Sequence, residues 1–248
     1  MKTSNKLLLG LFVLILLTIT TVMVTVKIIF FKPGSSAYTV SGKQTEEKRN
    51  VAKFNQIEVE NMIKVNYTQD SQQRVVVKAD SNLMRLVVSE VKNGKLYLYT
   101  SEKLDLEEPI QVDVSTDSIN GIKLTAGGIF GTTRKMKVTR LEGDGSAGAM
   151  FEVDGDFNDL KIEMSAGCIA NFKGKCKNLE ISCTAGSIFN ADNLIAEYGT
   201  ISASAGAVMN VNVTGEISVD ANAGSVIKCS GKARAKNINI SSGAQFLN

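Results

Sequence analysis

The stretch that decides the fold is 160-LKIEMSAGCIANFKG-174, and a similar stretch, 179-LEISCTAGSIFNADN-193, begins nineteen residues later. The first half of each copy alternates apolar and polar residues, as a strand with one buried face does. The second half begins at a glycine flanked by small residues. The small-residue motif recurs at Thr125, Ser146, Ser165, Thr184, Ser204 and Asn222, with a degenerate copy at Ser241. A period near twenty residues predicts a solenoid of stacked β-coils.

Alignment of the copies on the glycine of each motif produces columns of similar residues. One column, three residues after the glycine, holds Phe130, Phe151, Ala170, Phe189, Met209, Ile227 and Phe246. A single coil cannot bury such a face alone, so neighbouring coils must stack and share a core. The Ala-Gly pair predicts a tight corner with no room for a side chain. The sequence therefore predicts an all-β fold of parallel coils, each about twenty residues long.

Two further columns leave alternatives open. The column two residues after the glycine is also apolar, and it contains Ile129, Met150, Ile169, Ile188, Val208 and Val226. Adjacent residues of a straight strand point to opposite faces, so either the strand turns here or this column forms an exposed apolar stripe. Four residues after the glycine stand Asn171, Asn190 and Asn210 in consecutive coils. We interpret these asparagines as a structural hydrogen-bond ladder, with a polar binding stripe as the alternative.

The N-terminal segment is the clearest signal outside the repeats. Residues 7–26 contain no charge, and a helix of that length spans about 30 Å, the thickness of a bilayer core. This run is longer than the apolar core of a cleavable signal peptide, and cleavage at the small residues 35-SSA-37 is the alternative. We therefore predict a transmembrane anchor over residues 1–32, a linker over 33–50, an N-terminal β portion over 51–118 and β-helix repeats over 119–248.

Composition excludes several classes of function. The net charge is only +3 and the charged residues are scattered along the chain, which argues against nucleic-acid binding. The chain has no histidine, and so lacks the commonest general base and the commonest metal ligand. Cys183 and Cys229 fall in apolar columns, and no two cysteines share a column in neighbouring coils. We read all four as small core residues, and we predict no cofactor and no enzymatic activity.

One acidic segment, over residues 142–159, is the main candidate for other chemistry. Asp144, Glu152, Asp154, Asp156 and Asp159 stand within sixteen positions. A solvated loop face is the favoured interpretation. Ca²⁺ binding and carboxylate catalysis on a polysaccharide are the alternatives.

The order of three segments before the repeats resembles a known bacterial family. The segments are 54-FNQIEVENMIKVNYTQ-69, 75-VVVKADSNLMRLVVSEVKNGKLYLYT-100 and 109-PIQVDVSTDSINGIKLTAGG-128. Together with the Ser-Ala-Gly copies, they resemble the family described as "putative auto-transporter adhesin, head GIN domain", over roughly residues 50–247. The resemblance implies a right-handed parallel β-helix presented outside the cytoplasm, in a family of unestablished molecular function. This chain departs from many members because it has no cysteine near its N-terminus for a lipid anchor.

Anchor, solenoid and resemblance together predict a membrane-anchored binding module, either periplasmic or at the cell surface. The expected partner is an envelope polysaccharide or protein. The alternatives are a polysaccharide-acting β-helix enzyme and a structural or sensory envelope protein. We also expect homo-oligomers, formed through the last coil near Leu247, through the apolar stripe, or through both.

Overall fold

The computed structural model describes residues 42–248. The predicted anchor, which includes residues 7–26, lies outside this range, as does the first half of the predicted linker. Among the described residues, no helix has the length and apolar character needed to cross a bilayer. The helical content of this range is one three-residue 3-10 turn, Met84–Leu86.

Seventeen strands form one continuous sheet in the described range. The strands before the first Ala-Gly corner are β1 (Gln44–Arg49), β2 (Gln56–Glu60), β3 (Ile63–Gln69), β4 (Arg74–Asp80), β5 (Val87–Lys92), β6 (Lys95–Thr100), β7 (Ile110–Thr116) and β8 (Gly121–Thr125). The strands after it are β9 (Ile129–Thr132), β10 (Met136–Gly145), β11 (Met150–Met164), β12 (Ile169–Cys183), β13 (Ile188–Ala203), β14 (Val208–Ala221), β15 (Val226–Cys229), β16 (Arg234–Ile240) and β17 (Gln245–Leu247).

The seven motif copies form seven stacked coils, numbered here 1 to 7 from Thr125 to Ser241. Strands β11 to β14 pair in parallel, each with the next. Residues of one column are direct register partners, as Ile181, Ile201 and Val219 illustrate. The predicted all-β solenoid of stacked parallel coils is therefore confirmed.

The solenoid begins earlier than residue 119. Strands β2 and β3 form a further coil, because β2 pairs in parallel with β8 and β3 pairs in parallel with β9. The corner of this coil is at Asn61, with φ 58°, and it lacks the Ala-Gly motif. Strands β6 and β7 then stack on the other side of β2 and β3. The stacked coils therefore extend across the boundary between residues 118 and 119.

Antiparallel strands close the N-terminal end of the solenoid. Strand β4 pairs antiparallel with β7 and with β1, and β5 pairs antiparallel with β6. The β5–β6 hairpin turns at Asn93 and Gly94, which both have positive φ, as an Asn-Gly type I′ turn requires. Strand β1 lies within the range predicted to be a linker, so the folded domain starts at least as early as residue 44.

The Ala-Gly corners exist, but their physical reason differs from the predicted one. The corner alanines have φ between 47° and 53°, and the glycines that follow have φ between 69° and 78°. A Cβ added at Gly186 would meet no atom within 4 Å, so lack of room is not the cause. The Ser187 N–H donates to the Thr184 carbonyl at 3.2 Å, which closes a turn with two left-handed residues. Glycine is needed here because its backbone adopts positive φ without strain.

Inward-facing columns fill the core between the coils. Phe130, Phe151 and Phe189 are fully buried. Phe172 lies between two of these rings, with centroid distances of 6.3 Å to Phe151 and 5.4 Å to Phe189. The phenylalanine column therefore faces inward, and its neighbours on the same strands must face solvent.

Candidate functional site

The apolar column two residues after each corner glycine forms a stripe on the outside of the solenoid. Ile188 and Val208 are each 37% exposed, whereas Phe189 beside them is buried. The other four members are partly exposed. Six coils at about 4.8 Å spacing make this apolar stripe roughly 24 Å long. Of the two sequence alternatives, the exposed stripe is therefore the one that the structure adopts.

The three asparagines form a side-chain ladder beside the apolar stripe. The Asn190 Nδ2 donates to the Asn171 Oδ1 at 3.0 Å, and the Asn210 Nδ2 donates to the Asn190 Oδ1 at 3.0 Å. The ladder lies on the same outward face as the stripe, because residues two apart on a strand share a face. We call the stripe and the asparagine ladder together the ladder face. It combines an exposed apolar row with a row of amides that keep unused hydrogen-bonding capacity.

A shallow cleft of about 420 Å³ adjoins the ladder face. Its rim carries Asn171 and Asn190 from the ladder, Glu152 and Asp154 from β11, and Lys173 from β12. The cleft thus places amides, carboxylates and an ammonium group within one polar surface that follows the coils.

The acidic candidates do not come together as a cation site. Glu152, Asp154 and Asp156 each lie beside a lysine, at 3.9 Å from Lys64, 3.4 Å from Lys173 and 3.0 Å from Lys135. Asp144 lies away from them, on the rim of another groove with Lys123 and Lys161. Within residues 42–248, no three acidic, cysteine or histidine side chains converge as metal ligands. The lysines come from other coils, so these carboxylates form ion pairs across the stack.

A charge cluster that sequence reasoning missed stands at Glu58. This side chain is nearly buried and accepts hydrogen bonds or ion pairs from Lys95 at 2.9 Å and Lys123 at 3.3 Å. Burial raises the pKa of Glu58, but the two lysines outweigh it, so the pKa lies below the usual 4.5. The three residues belong to the stacked strands β6, β2 and β8, an order that sequence alone does not reveal. The cluster ties the first coils together.

All four cysteines are buried and unpaired. Burial raises the pKa of the Cys176 and Cys183 thiols to about 12. Burial also raises the pKa of Cys168. They are core residues, as their columns predicted, and none is placed as a nucleophile or ligand.

These features define a parallel β-solenoid with an outward ladder face. The family model described as "Putative auto-transporter adhesin, head GIN domain" matches residues 53–233. The chain belongs to this family, which confirms the resemblance seen in the sequence. No curated protein matches the sequence.

Several solved structures share the fold. A crystal structure of a "putative adhesin" from Bacteroides fragilis is 16% identical, with a TM-score of 0.79, and the match covers 86% of this chain and all of that one. A "putative adhesin" from Parabacteroides merdae is 14% identical, with a TM-score of 0.64, over 86% of this chain and 98% of that one. A "putative lipid binding protein" from Parabacteroides distasonis is 17% identical, with a TM-score of 0.63, over 83% and 96%. At these identities the likeness shows the fold alone.

Proposed function

We propose that the protein is an adhesin-type binding module, held at a membrane by its N-terminal apolar segment, with the solenoid outside the cytoplasm. The observation that carries the proposal is the ladder face. It sets a row of apolar side chains, 37% exposed at Ile188 and Val208, beside a row of amides, and exposed apolar patches rimmed by polar residues mark contact sites. Solenoid faces of this kind suit extended or repetitive partners, such as an envelope polysaccharide or protein.

The proposal favours binding over catalysis. The acidic side chains that would be needed for glycoside cleavage lie next to lysines, and the chain has no histidine to act as a base. The proposal includes a right-handed winding of the coils, the usual hand of connections between parallel strands. It also includes the uncleaved anchor over residues 7–26, whose length matches a bilayer span.

Adhesion of whole cells tests the proposal. The full chain is expressed in a non-adherent bacterial host, and retention of the cells on surfaces coated with envelope material from the source bacterium is measured. We expect retention that falls strongly in the Ile188→Asp and Asn190→Ala variants. Ile195→Asp is the matched control, because Ile195 is 48% exposed on the same strand but lies outside the ladder face.

Three outcomes would overturn the proposal. These are cells that are not retained at all, retention that is equal in all variants, or release of the chain from membranes by alkaline carbonate extraction.

A further inference from the structure

The ladder face has a pattern that is symmetric about coil 4. Asn190 stands at the centre of the asparagine ladder, with one asparagine on each side. Ile188, in the same coil, is one of the two most exposed members of the apolar stripe. Two coils away in one direction stands Glu152, and two coils away in the other stands Lys228, both exposed in the same column as Asn190. A face that is its own complement after reversal fits a second copy of itself.

We propose that two copies of this chain pair through the ladder face, about a two-fold axis that runs parallel to the strands through Ile188 and Asn190. This inference rests on the proposed function, because it names the partner of the same face. Rotation about that axis reverses the order of the coils and leaves each column opposite its own counterpart. The N-terminal ends of the two solenoids then lie at opposite ends of the pair, the arrangement expected for chains anchored in facing membranes.

The apolar stripe supplies the centre of this contact. Ile188 of one copy lies against Ile188 of the other, and Ile169 lies against Val208. Removing these half-exposed side chains from water is favourable in proportion to the apolar area covered. The members of the stripe line up along the stack because they are register partners from coil to coil.

The column that contains Glu152, the asparagine ladder and Lys228 sets the register and orientation of the two copies. Glu152 of each copy, which also lies 3.9 Å from Lys64 of its own chain, faces Lys228 of the other, so the pair adds two opposite-charge contacts. A parallel arrangement in register would instead place Glu152 against Glu152. Like charges across an interface suppress the wrong arrangement, and opposite charges fix the right one. Each asparagine amide has a second N–H and free carbonyl lone pairs that can bond to the facing ladder.

The size of the ladder face sets the strength of pairing. A patch roughly 24 Å long and two columns wide covers on the order of 400 Å² per copy, about half of the ~800 Å² found in stable complexes. The pair is therefore weak in dilute solution. Many copies on each of two facing membranes strengthen the contact, because after the first pair forms the next pairs form at high effective concentration.

Thiol-to-thiol crosslinking of the full chain tests the register directly. Wild-type cysteines are buried, so a cysteine introduced on the ladder face reports on the contact. The chain is reconstituted into vesicles and treated with a short bismaleimide, and Ile188→Cys is expected to form dimers because its two copies face each other across the axis, about 10 Å apart as in packed sheets. Ile169→Cys alone is expected to form far fewer, because its two copies are also offset by two coils and so lie roughly 14 Å apart. Vesicles with Ile169→Cys mixed with vesicles with Val208→Cys are expected to form mixed dimers.

Charge reversal provides the second measurement. In the Ile188→Cys background, Glu152→Lys and Lys228→Glu are each expected to slow dimer formation about tenfold, and the double reversal to restore it. Ile195→Asp is expected to leave the rate unchanged. Absence of Ile188→Cys dimers, or equal dimers from Ile169→Cys alone, would overturn the pairing. Cells that are retained on envelope material although these dimers are absent would leave the adhesin proposal standing and remove only the second copy as its partner.

Discussion

Truncation of Phe189 is the most direct test of which columns form the core. Phe189 is fully buried, and its ring stacks on Phe172 at 5.4 Å. Phe189→Ala removes most of a buried aromatic side chain, and at about 25 cal/mol per Å² the loss is about 4 kcal/mol. The next coil towards the N-terminus presents only Ala170 in this column, so little side-chain volume is available to fill the cavity.

Thermal unfolding of residues 42–248, followed by circular dichroism, gives the measurement. For a domain of this size, about 4 kcal/mol corresponds to a fall in melting temperature of roughly 8–16 °C. Ile188→Ala is the matched control on the adjacent position. Its side chain is 37% exposed, so we expect a loss of about 1–2 kcal/mol. If the control destabilises the domain as much as Phe189→Ala does, the assignment of inward and outward columns is refuted.

Three further predictions concern the thiols, the corners and the Glu58 cluster. Cys176 and Cys183 should resist a thiol reagent at pH 8 in the native protein and react fast in denaturant, because burial holds their pKa at about 12; fast native modification would contradict this. Ala185→Val should lower the free energy of unfolding by about 1–2 kcal/mol, because a β-branched residue is strained at φ 50°. Ala185→Gly should leave the free energy of unfolding nearly unchanged. Urea titrations in which Ala185→Gly is the less stable of the two variants would refute the explanation. The pKa of Glu58 in the folded protein lies below 4.5, so its ion pairs stabilise the fold above that pH, and this stabilisation is lost as the pH falls through the folded pKa. At pH values below about 4.5 the melting temperature should therefore fall with pH, and it should fall less steeply in Glu58→Gln. Equal slopes in the two proteins would exclude this role.

The repeat period and the columns can be predicted from the sequence, because every coil must bury one face against its neighbours. A core column must be apolar in every copy, and Ile181, Ile201 and Val219 satisfy that requirement at a fixed distance from the glycine. The sequence does not show which of two adjacent columns faces outward, because Ile188 and Phe189 are neighbours and both are apolar. Only the burial of one and the exposure of the other decides between them.

The N-terminal coils were missed for a physical reason. The corner of the β2–β3 coil uses Asn61, and asparagine adopts positive φ more readily than most other non-glycine residues, so the turn forms without the Ala-Gly signature. The ion pairs of the acidic segment were missed because their lysines come from other coils. Lys64, for example, is 88 residues before Glu152 in the sequence but close to it in the stack.

The position of β6 and β7 outside β2 and β3 has a consequence for how the chain matures as it leaves the ribosome or a translocon. The earliest coil is enclosed on both sides by later strands, and β1, β4 and β5 seal the end beyond them. This N-terminal segment can therefore fold before the remaining coils emerge. Each later coil then pairs with a strand edge that is already formed. A pulling force applied through the C-terminus would peel the coils off one at a time, in the reverse of that order, and the sealed base would be the last part to yield.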